Sequence, residues 1–360
     1  MLKQLEPQYT VFSSVEAMLT PETLSNLLSK AITRVDVQSM NGHGGLAGGH
    51  LSYVNTNAGR LVLKRMSIET DWIMFASDDH QCRSVTLWQY GILDKLLPHA
   101  EHKIITCARD GKGWAILMHD LTGSTFSWST PLNHEIVATF LDRLARLHAT
   151  FWENSDIADP RLGICTPKQL LEQTALPVAR NYPNYPTSPI PGWVCAGWAT
   201  LPELLEPDVL ATLHNLIEDP QPLYDTLNRY PSTLLHGDYR LDNLAYHDGC
   251  PVLLDWQEST YSIMTADLAW LVKQEYVHKA MSREQATSFY RSRLQAYLGK
   301  TFAEDEWQAM LDLGCGLDAL RSICFAAFFY GQADTPHKKH LEAELVKRQG
   351  QFVIDALRWF

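Results

Sequence analysis

The sequence His236-Gly237-Asp238-Tyr239-Arg240-Leu241-Asp242-Asn243, followed by Leu253-Leu254-Asp255-Trp256-Gln257, decides the fold of this chain. Apolar residues, 233–235 and 251–254, lead into each acidic position, and a polar turn at 247–249 separates them. This pattern predicts a strand, a loop, a strand, a turn and a further strand. Asp238, Asn243 and Asp255 are then expected at one end of these strands.

Two carboxylates and an amide in this order suit phosphoryl transfer. One carboxylate can receive the proton of an acceptor hydroxyl, and an Asn and an Asp can hold Mg²⁺. Singly, each is also a common turn residue, and their joint spacing favours function. His236 is expected to shape the loop by packing. Arg240 could contact phosphate or brace Asp238, and Asp242 could orient Mg²⁺ through water or face solvent.

Composition limits the remaining classes of function. The chain has 360 residues, of which 46% are hydrophobic and 20% charged, enough for one large domain or two lobes. A net charge of −11 disfavours nucleic acid and anionic membranes as partners. Seven scattered Cys without metal-site spacing indicate free thiols. No signal-peptide core is expected, and the apolar run 323–330 is too short to span a membrane, so we expect a cytoplasmic protein.

The chain predicts an α+β protein of two parts. A helix over 14–31 comes first, then five strands and one helix (83–97) in a mostly antiparallel sheet over 33–118. Helical patterns dominate after residue 121. We therefore expect an N-terminal lobe at 1–121, a connector near 118–121 and a C-terminal helical lobe at 122–360.

A glycine-rich stretch at 42–49 lies between two predicted strands, upstream of Lys64 on a third. Glycine lets backbone N–H groups approach phosphates closely. No Gly-Lys-Ser/Thr follows, so the stretch is not a Walker A motif. A flexible hairpin tip and a solvent-facing lysine are the alternatives, but the acidic cluster downstream favours phosphate binding by both.

These features resemble the aminoglycoside phosphotransferases and choline kinase-like enzymes, which share the protein-kinase-like fold. The resemblance rests on 236–243, 254–257, Lys64 and the helix that ends at 144–149, and extends over about residues 20–330. The sequence Asp255-Trp256-Gln257, which ends the acidic segment, is more similar to the ecdysteroid-kinase-like branches of the family than to the antibiotic-resistance enzymes.

The resemblance implies a two-lobed kinase that uses ATP and Mg²⁺. Asp238 would be the catalytic base, Asn243 and Asp255 would bind Mg²⁺, and Lys64 would contact the α- and β-phosphates. Asp267 would brace the catalytic loop. The glycine loop would cover the phosphates and the connector would hold adenine, with these residues contributing: Gly44, Gly45, Gly48, Gly49, Met118, His119 and Leu121.

One departure from the family concerns the partner of Lys64. A helix Glu usually pairs with this lysine, but Ser84 stands at the expected position. Either Glu69, Asp78 or Asp79 supplies the carboxylate, or Lys64 is held in another way. His119 also stands where the connector often has an acidic residue.

The acceptor is expected to be a small-molecule alcohol or amino alcohol. Its candidate pocket is formed by Trp256, Glu258, Trp270, Glu275 and 312–334, although aromatic residues at helical spacing are more often core. A nucleotide-binding pseudokinase or regulatory protein is the main alternative. A protein kinase is less favoured, since no Ala-Pro-Glu segment follows Asp255. The sequence leaves the oligomeric state and the choice between ATP and GTP open.

Overall fold

The first third of the chain forms a five-stranded antiparallel sheet in the computed structural model, which describes residues 5–40, 45–126, 130–183 and 187–360. The strand order is β1-β2-β3-β5-β4. Tight turns at Gly59 and Gly111, both with positive φ, close the β2–β3 and β4–β5 hairpins. The strands have these bounds: β1 Val35–Ser39, β2 His50–Thr56, β3 Gly59–Met66, β4 Ile104–Asp110 and β5 Gly113–His119.

Short helices flank this sheet: α1 Val15–Met18, α2 Pro21–Leu28, α3 Trp72–Ala76 and α4 Arg83–Gln89. The helix predicted over 14–31 is divided in two, because Thr20 caps a new helix that Pro21 begins. The helix predicted over 83–97 ends at Gln89, and a 3₁₀ turn at Leu93–Leu96 follows. Gly91, with φ of +66°, lies in the break between them.

The remainder of the chain is mainly helical, as predicted. Its longest helices pack together in one large apolar core that also receives α3 and α4. The bounds are α5 His134–Thr150, α6 Pro167–Glu172, α7 Leu176–Arg180, α8 Ile190–Thr200, α9 Pro207–Glu218, α10 Gln221–Leu227, α11 Thr265–Val272, α12 Glu275–Ala280, α13 Arg283–Leu298, α14 Glu304–Gln332 and α15 Pro336–Ala356. The lobe boundary at residue 121 stays a prediction.

Four short strands interrupt the helices: β6 Thr233–Leu235, β7 Leu244–His247, β8 Cys250–Leu253 and β9 Thr260–Ser262. The first three lie where the sequence predicted strands, whereas β9 was not predicted. They form two separate antiparallel pairs, β6 with β9 and β7 with β8. The loop between β6 and β7 and the segment between β8 and β9 carry the acidic residues. These two segments lie side by side in the structure.

Helix α14 is long and apolar enough to cross a membrane by length and composition, the only such helix among the described residues. Of its most apolar stretch, 78% is buried inside the protein. The apolar run at 323–330, which the sequence analysis judged too short to span a membrane, is part of this largely buried helix.

Candidate active site

The β7–β8 hairpin brings Asn243 and Asp255 to the same end. Leu244 pairs with Leu253 at this end, and the N–H of Leu254 donates to the carbonyl of Asn243 at 2.9 Å. Asp255 has a φ of +61°, in the left-handed region that few non-glycine residues occupy. Such backbone conformations cost free energy and cluster at functional sites. The hairpin thus fixes the direction of both side chains.

Asp238 lies in the β6–β7 loop and is held from two sides. Its Oδ2 accepts hydrogen bonds from Asn243 Nδ2 at 2.7 Å and from Arg240 Nε at 3.1 Å. Burial by itself would raise the pKa of the Asp238 carboxyl, but the positive charges of Arg240 and Arg321 and the other hydrogen-bonded neighbours lower it below its ordinary value. The carboxylate is therefore ionised at neutral pH.

Asp267 at the start of α11 anchors the same loop. Its two carboxylate oxygens accept the backbone N–H groups of His236, at 2.7 Å, and Gly237, at 3.0 Å. A charged acceptor for two adjacent amides makes strong hydrogen bonds. Asp267 thus has the bracing position that the resemblance implied.

Gly237 allows the loop to pass close beneath the segment that follows Asp255. A Cβ at this position would lie 2.0 Å from the carbonyl oxygen of Glu258, and φ is +84°. Arg321 on α14 closes the contact, since it donates to the carbonyl of Gly237 at 2.7 Å and pairs with the Glu258 carboxylate. Arg321 gave no local signal in the sequence.

His236 joins the loop to the hairpin and is fully buried. Its Nε2–H donates to the carbonyl of Leu254 at 2.9 Å, and its Nδ1 accepts the N–H of Asp238 at 3.4 Å. Burial lowers the pKa of this imidazole. The ring is a neutral scaffold for the loop, in line with its predicted packing role.

Lys64 reaches this cluster from the middle of β3, where its neighbours are Leu51 and Ile116. Its ammonium donates to Asp255 Oδ1 at 2.8 Å and to Gln257 Oε1 at 2.6 Å. The sheet and the hairpin therefore meet through this side chain.

The described part of the glycine stretch lies near Lys64, while Gly44 falls outside the described residues. A Cβ on Gly49 would be 3.5 Å from Lys64 Cε. Gly48, with φ of +104°, approaches Thr70 so closely that a Cβ would lie 2.2 Å from its carbonyl oxygen. Gly45 stands in open space, and its carbonyl accepts the N–H of Gly48.

The predicted connector follows the end of β5. Met118 is half-buried between β3 and β4, and Leu121 is buried against the β7–β8 hairpin. His119 is exposed, and its N–H donates to the carbonyl of Lys103 at 3.0 Å. That amide is thus already engaged with the chain itself.

The three carboxylates suggested as substitutes for the helix Glu do not contact Lys64, so that part of the prediction is wrong. Glu69 pairs with Lys112 at 2.7 Å, Asp78 with His80 at 2.9 Å, and Asp79 with Arg83. Glu69 lies before α3, and Asp78 and Asp79 follow it.

The charged residues of the candidate acceptor pocket are paired with residues of opposite charge. Glu258 pairs with Arg321 and Asp318 with Lys273, and burial raises the pKa of Glu258 to about 7. The Trp270 ring contacts the charged groups of Lys273 and Arg321, at 3.6 and 4.4 Å from its centroid. Trp256 is core, Glu275 is exposed beside Lys279, and Asp334 is exposed beside Lys338.

The donor set suits a magnesium ion that takes further ligands from a substrate. Asn243 and Asp255 offer an amide and a carboxylate oxygen, the hard donors that Mg²⁺ prefers. No group of three or more His, Cys, Asp and Glu side chains in the described residues is arranged to hold a metal ion. A closed metal cage is thus absent from that part of the chain, whereas two oxygen ligands completed by phosphates are typical for Mg²⁺.

Solved structures and a family model show which proteins this chain resembles. A comparison with curated protein sequences gives no match. An amicoumacin kinase, solved with AMP-PNP, Ca²⁺ and amicoumacin, shares 12% identity at a TM-score of 0.52 and covers 94% of this chain and 95% of its own. Choline kinase from Cryptosporidium parvum shares 11% identity at a TM-score of 0.54, covering 89% and 90%. The choline kinase of Streptococcus pneumoniae shares 14% at 0.50, covering 95% and 99%.

These likenesses confirm the predicted kinase-like fold. The model of the phosphotransferase enzyme family matches residues 46–312, which include strands β2–β5 of the sheet, the β6–β9 segments and most of the helices. The chain belongs to the phosphotransferase enzyme family.

Proposed function

We propose that the protein is an ATP- and Mg²⁺-dependent kinase that phosphorylates a hydroxyl group of a small molecule. Membership of the phosphotransferase family supports the reaction class. The observation that carries the proposal is the convergence of Asp238, Asn243, Asp255 and Lys64 through direct hydrogen bonds.

In this proposal Asp238 aligns the acceptor hydroxyl and receives its proton. A base with a low pKa fits this task, because in phosphoryl transfer the proton moves late and most of the catalysis is positioning. Arg240 and Asn243 hold the carboxylate in place, and Arg321 fixes the loop behind it. The side chain is 16% exposed, so an acceptor hydroxyl can reach it from the cleft.

Asn243 and Asp255 are the proposed ligands of Mg²⁺, and Lys64 is proposed to contact the nucleotide phosphates. When bound, Mg²⁺ would neutralise charge on the phosphate oxygens. Gly45, Gly48 and Gly49 would approach the phosphates, while Met118, His119 and Leu121 would border the base. Gly44 belongs to the same proposal from the sequence alone.

The acceptor is proposed to be a small alcohol, including amino alcohols. The solved neighbours include choline kinases and an amicoumacin kinase, whose names give small molecules as their substrates. In this chain Arg321 and Lys273 already neutralise Glu258 and Asp318. A strongly cationic acceptor would therefore have to find its charge partners elsewhere in the cleft.

The test is transfer of the γ-phosphate of labelled ATP to a panel of neutral, acidic and amine-bearing alcohols, with and without Mg²⁺. We expect Mg²⁺-dependent phosphorylation of at least one small alcohol, and its loss in Asp238→Ala. Wild-type protein that neither binds nucleotide with Mg²⁺ nor turns it over would refute the proposal. Phosphorylation of protein substrates alone would favour the protein-kinase alternative.

One observation favours the alternative of a nucleotide-binding pseudokinase. Lys64 pairs directly with Asp255, the proposed metal ligand, and Ser84 offers no carboxylate to hold the lysine elsewhere. Nucleotide binding without phosphate transfer to any alcohol or to water, in wild type and Asp238→Ala alike, would support this second function.

A further inference from the structure

Lys64 needs a partner other than Asp255 if Asp255 binds a metal ion. A divalent cation on the Asp255 carboxylate would repel the Lys64 ammonium, which now donates a hydrogen bond to that carboxylate at 2.8 Å. Ser84 cannot replace the Asp255 carboxylate, because a hydroxyl has no charge; its buried Oγ has no hydrogen-bond partner. Another group near Lys64 must therefore hold the ammonium.

Asp71, the residue that caps α3, is such a group. It is 0% exposed, and its Oδ1 accepts hydrogen bonds from the N–H of Met74 at 3.0 Å and from Gln257 Nε2 at 3.1 Å. Its second oxygen, Oδ2, is buried and has no hydrogen-bond partner. A buried carboxylate oxygen without a partner is costly, so its retention calls for an explanation.

The free oxygen of Asp71 lies beside Lys64. A Cβ built on Gly49 would contact Asp71 Oδ2 at 3.4 Å and Lys64 Cε at 3.5 Å, so both side chains reach the same point of the Gly49 backbone. Lys64 is also the foremost influence opposing the rise that burial causes in the pKa of Asp71. The carboxylate and the ammonium therefore interact without yet forming a direct bond.

Gln257 connects the two groups. Its Oε1 accepts a hydrogen bond from Lys64 at 2.6 Å, while its Nε2 donates to Asp71. This makes a continuous chain from the ammonium through the amide to the buried carboxylate. Gln257 is 4% exposed, and Arg83 donates to its backbone carbonyl, which fixes the amide in place.

We infer that Asp71, together with Gln257, positions the Lys64 ammonium toward the nucleotide phosphates, in place of a carboxylate on helix α4. Asp71 is a positioning residue, since it acts through Lys64. This inference rests on the proposed function. It adds a role for a residue outside the segments that the sequence singled out.

The test is a double-mutant cycle on Mg²⁺·ATP affinity, using Asp71→Asn, Lys64→Met and the double variant. Asn keeps the size and the capping oxygen of Asp71 but removes its charge. We expect Asp71→Asn to weaken Mg²⁺·ATP binding about 10-fold, the effect of one charge-assisted hydrogen bond. In the Lys64→Met background the same substitution should have no effect, because its target is gone.

Adenosine is the second probe. A positioning role toward phosphates predicts that Asp71→Asn leaves adenosine affinity unchanged, whereas a purely structural role would weaken adenosine and Mg²⁺·ATP equally. Asp71→Ser, which also retains a capping oxygen, should reproduce the result and serves if Asp71→Asn does not fold. Gln257→Met should give a similar loss by breaking the connecting amide.

Asp79→Asn is the matched control. Asp79 is also a buried carboxylate of this region with an unpartnered oxygen, but it neighbours Arg83 instead of Lys64. Any effect of Asp79→Asn should be the same with and without Lys64. Unchanged Mg²⁺·ATP affinity in a folded Asp71→Asn protein, or equal losses in both backgrounds, would overturn the inference alone. Wild-type protein without Mg²⁺·ATP affinity would overturn the proposed function and this inference with it.

Discussion

At the scale of single residues, Asp238 differs from the other carboxylates of the site in its surroundings. Arg240 and Asn243 both direct donors at its Oδ2, while Asp255 pairs with Lys64. The first arrangement fixes a carboxylate without covering its other oxygen. In the second arrangement, a metal ion could replace Lys64 as the partner of the carboxylate. The two acids are thus suited to different tasks.

Asp238→Asn is expected to reduce phosphate transfer about 10³-fold, because general-base catalysis contributes 10²–10⁴-fold. The amide retains the size of the side chain, so Mg²⁺·ATP affinity should change little. Asp248→Asn removes the same charge from an 87% exposed position in the β7–β8 turn and should alter the rate by less than about 3-fold, the range of weak surface electrostatics. Initial rates and nucleotide titrations for both variants measure this. Equal losses for the two variants would contradict the role of Asp238.

The buried carboxylate of Asp71 also predicts a pH-dependent stability. Burial raises its pKa to about 6, whereas Asp in an unfolded chain has a pKa of about 3.9. The folded state therefore binds the proton more tightly than the unfolded state, and stability from this group is lost as pH rises through 6. At pH 8 the cost is about 3 kcal/mol. Lys64, Asp255, Tyr182 and Cys82 are the titratable groups around it.

Asp71→Asn should consequently stabilise the protein at pH 8 and not at pH 4. Urea unfolding at both pH values measures the difference between the variant and the wild type, which should grow between pH 4 and pH 7 and then level off. A constant difference across this range would mean that the carboxylate is not strained by burial. Stabilisation combined with weaker nucleotide binding would be the signature of a residue retained for function.

At the scale of secondary-structure elements, the active loop depends on a close crossing of two segments. Gly237 passes under the carbonyl of Glu258, and Arg321 contacts both. The crossing places Asp238 beside the segment that begins with Asp255. A side chain at position 237 would force these segments apart.

Gly237→Ala is expected to destabilise the protein by more than about 3 kcal/mol and to abolish activity, since it combines a steric clash with a left-handed backbone. Gly249→Ala is the control. Gly249 also has a positive φ, +78°, but a Cβ there would meet no atom within 4 Å. Its cost should be limited to about 1 kcal/mol of backbone strain. Thermal unfolding of both variants gives the comparison, and similar losses would show that the crossing is unimportant.

The sequence predicted the parts of this site that are local in the chain. The spacing of Asp238, Asn243 and Asp255 is set by one loop and one hairpin, so apolar runs and turn residues were sufficient to predict their proximity. Asp71 could not be predicted, because it resembles any other Asp before a helix and its link to the site runs through Gln257, which is 186 residues away in the sequence. Arg321 is 84 residues from Gly237, and only the packing of α14 brings it there.

At the scale of the whole molecule, Lys64 links the sheet to the helical part of the chain. The core that contains α3 and α4 extends without interruption into the helices around α14. The other face of the sheet packs with α1 and α2 in a separate cluster. The nucleotide site proposed here lies where the first core and the sheet meet, so a bound nucleotide would contact both parts.

Mg²⁺·ATP is therefore expected to stabilise the whole protein. At a concentration 100 times the dissociation constant, the gain is about 2.7 kcal/mol, which raises Tm by a few degrees. Asp238→Asn should keep this shift, because Asp238 acts on the acceptor. Lys64→Met should lose most of it, because the phosphates lose their cation.

Lys112→Met provides the matched control for this experiment. Lys112 is also a lysine of the N-terminal part of the chain, but it lies in the turn between β4 and β5, is 81% exposed and pairs with Glu69 outside the site. Its removal should leave the nucleotide-dependent shift in Tm intact. A shift that survives Lys64→Met, or that adenosine reproduces in full, would contradict the proposal that Lys64 binds the phosphates. Retention in Lys112→Met with loss in Lys64→Met would locate the nucleotide phosphates at the junction of the sheet and the β7–β8 hairpin.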